Sequence, residues 1–421
     1  MAALTARSLR VPGDKSISHR ALIIGALAKG TSRVRGILCS DDVRSTAAVL
    51  RALGVELSSL GELTHVRGTR ARQLAPPDQS LDCGNSGTTA RLMAGVLAAQ
   101  AFESRLVGDY SLSRRPMRRV TEPLSRMGAA FRFEGTDGTL PLVVQGSALR
   151  PIEWESETAS AQVKSAILLA GVAAGVRVVV SEPAASRDHT ERMLVAAGAQ
   201  LIAEPCRVAL EGQAALDPID ATVPGDPSSA AFLAAFAALR VGCAIEVRDV
   251  GLNATRTGFF GILSRMGAPV DLEQERVEGG EPVGTVRVES GELAGVSVGA
   301  AHVPSMIDEL PLLACVASRA DGETVIGGAG ELRVKESDRI SRVVSNLRAI
   351  GADAEEMSDG MRVRGNRTPL RGRVHTDGDH RIAMAFGVLA ALPGNHIEID
   401  DPACVRVSYP DYWRDLAAVA G

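Results

Sequence analysis

Val11–Ser16 reads V-P-G-D-K-S, and the turn returns as V-P-G-D-P-S at Val223–Ser228. Working outward, Gly13 permits a tight turn, and Lys15 and Ser16 stand where an alanine- and leucine-rich helical pattern begins. Such a pattern, about three turns long, opens six times, at Ser16, Gly87, Ser160, Ser228, Asp308 and Asp379, with successive spacings of 71, 73, 68, 80 and 71 residues. In five of the six a glycine follows within a few residues, and then a short β-type run. A second marker lies between these openings: R-A-L-G-V at 51, S-R-M-G-A at 125, V-A-A-G-A at 195, S-R-M-G-A at 264 and R-A-I-G-A at 348. There a helix ends on a glycine able to take the left-handed conformation, and a strand follows. Each unit therefore reads as helix–strand–helix–strand, and six of them fill the chain. The repeated V-P-G-D splits the six into three plus three. The expectation is an α/β protein of two similar domains, joined near Pro12–Asp14 and Pro224–Asp226.

Length and composition agree with this. A chain of 421 residues carries a prior of two or three domains, and 45% hydrophobic with 23% charged residues is the balance of a soluble globular protein. A net charge of −4 and 3% aromatic residues argue against nucleic acid as a partner. The longest uncharged apolar stretches, such as Ser165–Val176, fall short of the ~20 residues that span a bilayer. Met1–Arg10 has no apolar core ahead of a cleavage site, so no secretory signal is expected. The six cysteines (39, 83, 206, 243, 315 and 404) form no C-x-x-C pair and no His-x-His cluster accompanies them. They predict neither a disulfide framework nor a metal site, and most are expected to be small buried hydrophobes. A cytoplasmic enzyme fits these bounds. Of 46 basic residues only Lys15, Lys29, Lys164 and Lys335 are lysines. In an arginine-biased chain each lysine deserves a look, because a compact ammonium and a planar fork do different work. Lys29, at a helix end, reads as structural, and the other three read as suited to chemistry.

Six similar helix starts carry a functional implication. The first turn of a helix offers unpaired N–H groups and a partial positive charge, so it favours anions. If the two domains face each other with these ends converging, the cleft suits a substrate rich in phosphate or carboxylate. Val11–Arg20 places Lys15, Ser16 and, one turn on, Arg20 at such a start. Leu81–Arg91 (L-D-C-G-N-S-G-T-T-A-R) pairs Gly84 and Gly87 with the polar handles Asn85 and Thr88, and Ser111–Arg119 carries four arginines in nine residues. In Glu331–Arg339 (E-L-R-V-K-E-S-D-R), Lys335 and Arg339 share a face if the segment is helical, with Glu336 beside them. Asp308–Glu309 puts carboxylates ahead of the fifth helix, where an N-cap aspartate is the plainer reading. Asp377–Arg381 (D-G-D-H-R) opens the sixth.

Together these segments resemble the 3-phosphoshikimate 1-carboxyvinyltransferases, the EPSP synthases of the shikimate pathway. P-G-D-K-S-I-S-H-R-A, G-N-S-G-T-T-A-R, R-R-P-M, S-A-Q-V-K-S-A, R-V-K-E-S-D-R and D-H-R-I-A-M-A match in order, from near residue 11 to S-Y-P-D-Y-W at 408–413. The resemblance implies two domains, 1–12 with 224–421 and 13–223, each of three βαβαββ repeats in an inside-out α/β barrel. It implies an active site between them, closure over the substrates, and no metal or organic cofactor. The substrates would be shikimate 3-phosphate and phosphoenolpyruvate, in a monomer with no nucleic acid or membrane partner.

Residue by residue, the resemblance puts Lys15, Ser16, Arg20, Ser160, Ala161, Gln162, Asp308 and Lys335 on shikimate 3-phosphate. Lys15, Asn85, Gly87, Thr88, Arg115, Gln162, Arg339 and Arg381 would hold phosphoenolpyruvate. Asp308 matches the general base and Glu336 a proton donor, with Lys15 and Lys335 contacting both substrates and counted with the catalytic set. Ser160-Ala161-Gln162, where other members have Ser-Ser-Gln, and S-R-D-H-T-E at 186–191 resemble a subgroup in which Arg187 shares the phosphate. Many bacterial members carry lysine where Val407 stands and asparagine where Glu331 stands. Arg406 is expected on the opposite face of a strand, and so not to substitute. Gly87 has no side chain to intrude on the phosphoenolpyruvate site, which predicts sensitivity to glyphosate. Transfer to UDP-N-acetylglucosamine is the nearest alternative, but G-D-Y-S-L-S-R-R-P-M at 108–117 lacks the cysteine usual in that family. A non-catalytic anion-binding protein of the same fold would be expected to lose Asp308 or Glu336, and both are present.

Overall fold

The computed structural model describes residues 6–69, 73–212 and 215–421. The reading of Met1–Arg10 falls in part on residues 1–5, outside the described residues. The chain forms two compact units, one of residues 13–223 with 277–281, the other of residues 1–12, 224–276 and 282–421. Each has its own hydrophobic core.

In chain order, β1 (Arg7–Arg10) precedes α1 (Lys15–Leu27), β2 (Lys29–Arg35), α2 (Asp41–Ala52), β3 (Glu56–Leu57) and β4 (Leu63–Thr69). The next repeat is β5 (Leu81–Asp82), α3 (Gly87–Ala98), β6 (Glu103–Val107), α4 (Arg118–Met127), β7 (Ala130–Phe133) and β8 (Leu142–Gln145). The third is β9 (Ile152–Glu155), α5 (Ala161–Ala174), β10 (Val178–Ser181), α6 (His189–Ala196), β11 (Leu201–Glu204) and β12 (Arg207–Leu210). Then come β13 (Asp220–Thr222), α7 (Pro227–Leu239), β14 (Ala244–Gly251), α8 (Gly258–Arg265), β15 (Val270–Glu278) and β16 (Glu281–Glu289). The fifth repeat is β17 (Ser297–Val298), α9 (Leu310–Ala317), β18 (Glu323–Ile326), α10 (Arg339–Ala349), β19 (Asp353–Met357) and β20 (Gly360–Arg364). The last is shorter: β21 (Arg371–Val374), α11 (His380–Ala390), β22 (His396–Ile399) and α12 (Tyr412–Ala420).

Five four-stranded sheets share one plan, in the orders β13-β2-β4-β3, β5-β6-β8-β7, β9-β10-β12-β11, β1-β14-β16-β15 and β17-β18-β20-β19. In each, the first two strands are parallel and the next runs antiparallel to them. A parallel pair needs a crossover, and α3, α5, α9 and α11 provide it for β5/β6, β9/β10, β17/β18 and β21/β22. The repeat is thus β-α-β-α-β-β, richer in strands than the helix–strand–helix–strand reading, because the short first strands carry too few residues to show a period. The V-P-G-D turns lie where the chain changes unit. The strand just before α1 is β1, which pairs with β14, and the strand just before α7 is β13, which pairs with β2.

The six crossover-type helices are the buried ones. α1 is buried from Ile17 to Leu27, α5 from Val163 to Ala174, α7 from Pro227 to Ala238 and α9 along its whole length. Helices apolar all round belong inside, which explains their alanine and leucine content. Close packing sets their size: a Cβ on Gly95 of α3 would stand 2.1 Å from the Ala166 carbonyl oxygen of α5. The alternate helices are amphipathic. α4, for example, buries Val120, Leu124 and Met127. Gly54, Gly128, Gly198, Gly267 and Gly351 end these outer helices with φ between 84° and 121°, as the second marker predicted. Of the cysteines, only Cys83 and Cys315 are buried, Cys206 is exposed and the other three are intermediate, so most are not core residues as expected.

Candidate active site

In the unit built around residues 13–223, the starts of α1, α3 and α5 are tied together. Asp14 caps α1, accepting from the Ile17 N–H at 2.8 Å. Lys15 follows, with Nζ 2.9 Å from Asp42 Oδ2 on α2. Arg20, 3% exposed, donates from Nε to Thr190 Oγ1 at 2.7 Å, from Nη2 to Ser165 Oγ at 2.9 Å and from Nη1 to the Ser16 carbonyl at 2.9 Å. Burial lowers its pKa to about 10, with Arg187 adding to the shift against neighbouring carboxylates. Arg20 is still charged at neutral pH.

Ser86 caps α3, accepting from the Thr89 N–H at 3.1 Å. Ahead of it Asn85 donates to Asp109 Oδ2 and accepts from Arg115 Nη2, each at 2.7 Å. Arg115 also reaches Ser111 Oγ at 3.1 Å. Thr88 Oγ1 accepts from Gln162 Nε2 of α5 at 3.0 Å, and Gln162 Oε1 accepts from Arg91 Nη1 at 2.5 Å. Arg91 Nη2 in turn holds the Pro116 carbonyl at 3.2 Å. A buried chain, His19 Nδ1 to Thr46 Oγ1 (2.7 Å) to Thr89 Oγ1 (2.6 Å), links α1 and α2 to α3. The starts of α1 and α3 carry Lys15, Arg20 and Arg91, Arg115 follows the 3-10 turn Leu112–Arg114, and with Arg187 near Arg20 they form a cationic cradle suited to phosphate and carboxylate.

The other unit repeats this convergence with different chemistry. Asp226 caps α7 by accepting from the Ser228 N–H at 2.8 Å, and its carboxylate is 2.8 Å from Arg256 Nη2. Ser228 Oγ donates to Glu309 Oε1, and Glu309 lies 3.9 Å from Arg381 Nη1 on α11. Asp379 caps α11, accepting from the Arg381 N–H at 2.9 Å. The same carboxylate accepts from Arg339 Nε at 2.8 Å and Nη2 at 3.2 Å. Arg339 then extends Nη2 to Glu336 Oε2 (2.6 Å) and Nη1 to Asp308 Oδ1 (3.4 Å). Burial alone would lower the Arg339 pKa, but Asp379, Glu336 and Asp308 reverse the effect and raise it. One guanidinium, 1% exposed, thus carries two partly accessible carboxylates on separate nitrogens.

The family model for EPSP synthase (3-phosphoshikimate 1-carboxyvinyltransferase) matches residues 3–416. The chain belongs to this family. A curated 3-phosphoshikimate 1-carboxyvinyltransferase from Sulfurihydrogenibium sp. is 48% identical over 417 residues, covering 98% of this chain and 97% of the relative. One from Alkalilimnicola ehrlichii is 49% identical over 416 residues, covering 98% and 93%. Among solved structures, an EPSP synthase from Acinetobacter baumannii superposes with a TM-score of 0.84 at 40% identity, covering 98% of this chain and 95% of that one.

Measured against the EPSP synthase motifs, each unit gathers its own share of the expected residues. Lys15, Ser16, Arg20, Asn85, Gly87, Thr88, Arg115, Ser160, Ala161, Gln162 and Arg187 belong to the first unit described, and Asp308, Lys335, Glu336, Arg339 and Arg381 to the other. Several local expectations need correction. Lys335 and Arg339 do not share a helix: a 3-10 turn ends at Val334, Lys335–Ser337 form a bend, and α10 starts at Arg339. Asp338 decides this by capping the helix there, accepting from the Ser341 N–H at 3.1 Å. Asp308 is not the N-cap of α9, a position held by Glu309; it lies in the 3-10 turn Ile307–Glu309 and points its carboxylate at Arg339. Val407 and Arg406 are in the 3-10 segment Pro402–Val407, not a strand, so the opposite-face argument does not apply. Lys164, read as suited to chemistry, is held in a buried ion cluster: its side chain is 6% exposed and its ammonium lies 2.8 Å from both Glu182 and Glu191. Sequence reasoning quoted Arg91 but gave it no role, although its place four residues after Gly87 on one helix face was the available signal.

Proposed function

We propose that this chain transfers the enolpyruvyl group of phosphoenolpyruvate to the 5-hydroxyl of shikimate 3-phosphate and releases phosphate. The hydroxyl oxygen adds to C2 while its proton passes to Asp308, and C3 takes a proton from Glu336. Collapse of the resulting tetrahedral adduct returns a methyl proton to the Glu336 carboxylate, restores the double bond and breaks the C2–O bond, phosphate leaving with the bonding pair. The reaction needs one base at the hydroxyl and one acid at C3, each worth ~10²–10⁴-fold. The observation that carries this reading is the pairing of Asp308 and Glu336 on separate nitrogens of Arg339. One cation orients both side chains, Asp308 as the base and Glu336, once protonated, as the acid.

The substrates bring two phosphates and two carboxylates together, and that much charge needs matching cations in a dry site. Lys15, Ser16, Arg20, Ser160, Ala161, Gln162 and Arg187 take shikimate 3-phosphate, with Asp308 and Lys335. Asn85, Gly87, Thr88 and Arg115 take phosphoenolpyruvate, with Lys15, Gln162, Arg339 and Arg381. Arg91 holds Gln162 and the Pro116 carbonyl. The two compact units act as the two domains, each supplying its own group of these residues. The protein works as a cytoplasmic monomer. Among the described residues no helix is long and apolar enough to cross a membrane. The test is phosphate release from phosphoenolpyruvate, with shikimate 3-phosphate and UDP-N-acetylglucosamine offered in turn. Release with shikimate 3-phosphate alone is expected, and release with neither or only with the nucleotide sugar overturns the reading.

A further inference from the structure

The buried ion cluster around Glu182 has no part in the chemistry above, yet it touches two elements assigned to shikimate 3-phosphate. Glu182 directly follows β10, and its side chain is 2% exposed. Oε1 accepts from the Ser160 N–H, at the cap of α5, at 2.8 Å. Oε2 accepts from Ser186 Oγ at 2.7 Å, one residue before Arg187, and lies 2.8 Å from Lys164 Nζ. Lys164 is also held by Glu191 of α6 at 2.8 Å. A single carboxylate therefore fixes the entry of one helix and the loop leading into another. Burying one lysine between two glutamates adds little net stability, since desolvation offsets much of the attraction. What the arrangement does supply is geometry. Glutamine at 182 keeps one oxygen acceptor where the carboxylate uses two, so the Ser160 N–H and the Ser186 hydroxyl cannot both stay held as they are.

We propose that Glu182 is a positioning residue for the 3-phosphate, acting through Ser160 and Arg187 without touching the substrate. This rests on the functional reading above. Its experiment is titration of wild type, Glu182→Gln and Ser186→Ala with shikimate 3-phosphate and, separately, with phosphate-free shikimate, alongside steady-state kinetics. Glu182→Gln is expected to weaken shikimate 3-phosphate about tenfold or more and to raise its KM alike. Shikimate binding, KM for phosphoenolpyruvate and kcat at saturation should stay within about threefold. Ser186→Ala, which leaves the ion cluster whole, should weaken shikimate 3-phosphate about threefold. Wild-type affinity in Glu182→Gln, or equal weakening of shikimate and its phosphate, overturns the role. If Glu182→Gln does not fold, unchanged affinity in Ser186→Ala overturns it. A wild-type protein that binds no shikimate 3-phosphate sinks the functional reading instead, and this role with it.

Discussion

Two alanine substitutions on one helix should behave in opposite ways. At Gly87, the first residue of α3, an added Cβ would stand 3.1 Å from Arg91 Nη1 and 3.3 Å from Arg115 Nη1. Both neighbours are ends of flexible side chains, so the helix tolerates the methyl, and alanine adds up to about 1 kcal/mol of helix propensity. The guanidiniums must nevertheless retreat, and they hold Gln162 and Asn85. A hydrogen bond to a charged group is worth ~1.5–3 kcal/mol, so loosening one should raise KM for phosphoenolpyruvate by about 10- to 100-fold. Inhibition by glyphosate should weaken in the same direction. At Gly95, two turns on, the Cβ would sit 2.1 Å from the Ala166 carbonyl oxygen, which is backbone and cannot swing aside. Separating α3 from α5 should cost ~1–3 kcal/mol and lower Tm by several degrees, at roughly 2–4 °C per kcal/mol. The assays are initial rates with phosphoenolpyruvate varied at saturating shikimate 3-phosphate, glyphosate inhibition constants, and thermal melts of both variants. A Gly87→Ala enzyme with wild-type KM and wild-type inhibition would refute the reasoning about the arginines. A Gly95→Ala protein with wild-type Tm would refute the packing argument.

The carboxylate assignments predict that Asp308→Asn and Glu336→Gln each lose ~10²–10⁴-fold in turnover while binding of shikimate 3-phosphate is largely intact; wild-type turnover in both contradicts them. Arg91→Met should raise KM for phosphoenolpyruvate about tenfold by freeing Gln162, and an unchanged KM would show that Gln162 needs no such anchor. His19 carries a pH signature. Burial, then Lys15 and Arg20, hold its pKa well below 6.5, so the native state refuses a proton that the unfolded chain accepts. Its contribution is present above pH 6.5 and is lost on acidification, by about 1.4 kcal/mol between pH 7.5 and pH 5.5. Denaturant melts of wild type and His19→Gln at those two pH values should differ by that amount in their pH dependence, and identical dependence would rule it out.

The sequence by itself determined the repeat, the helix ends and most of the residue groups. All-round apolar helices such as α5 announce burial through composition, and Gly54 or Gly267 mark helix ends because few other residues take positive φ without strain. These are local properties, so they survive reading one segment at a time. Tertiary structure decided what depends on distant partners. No local pattern tells that β1 completes a sheet with β14, or that β13 comes back to β2. Strand partners more than 180 residues apart are chosen by the packing of whole units. The charged run Glu331–Arg339 has helical spacing whether or not it is a helix, and the cap at Asp338 starts α10 too late to include Lys335. Lys164 reads as suited to chemistry, and only the fold brings Glu182 and Glu191 beside it. A charge belongs to a residue, but its partners belong to the fold.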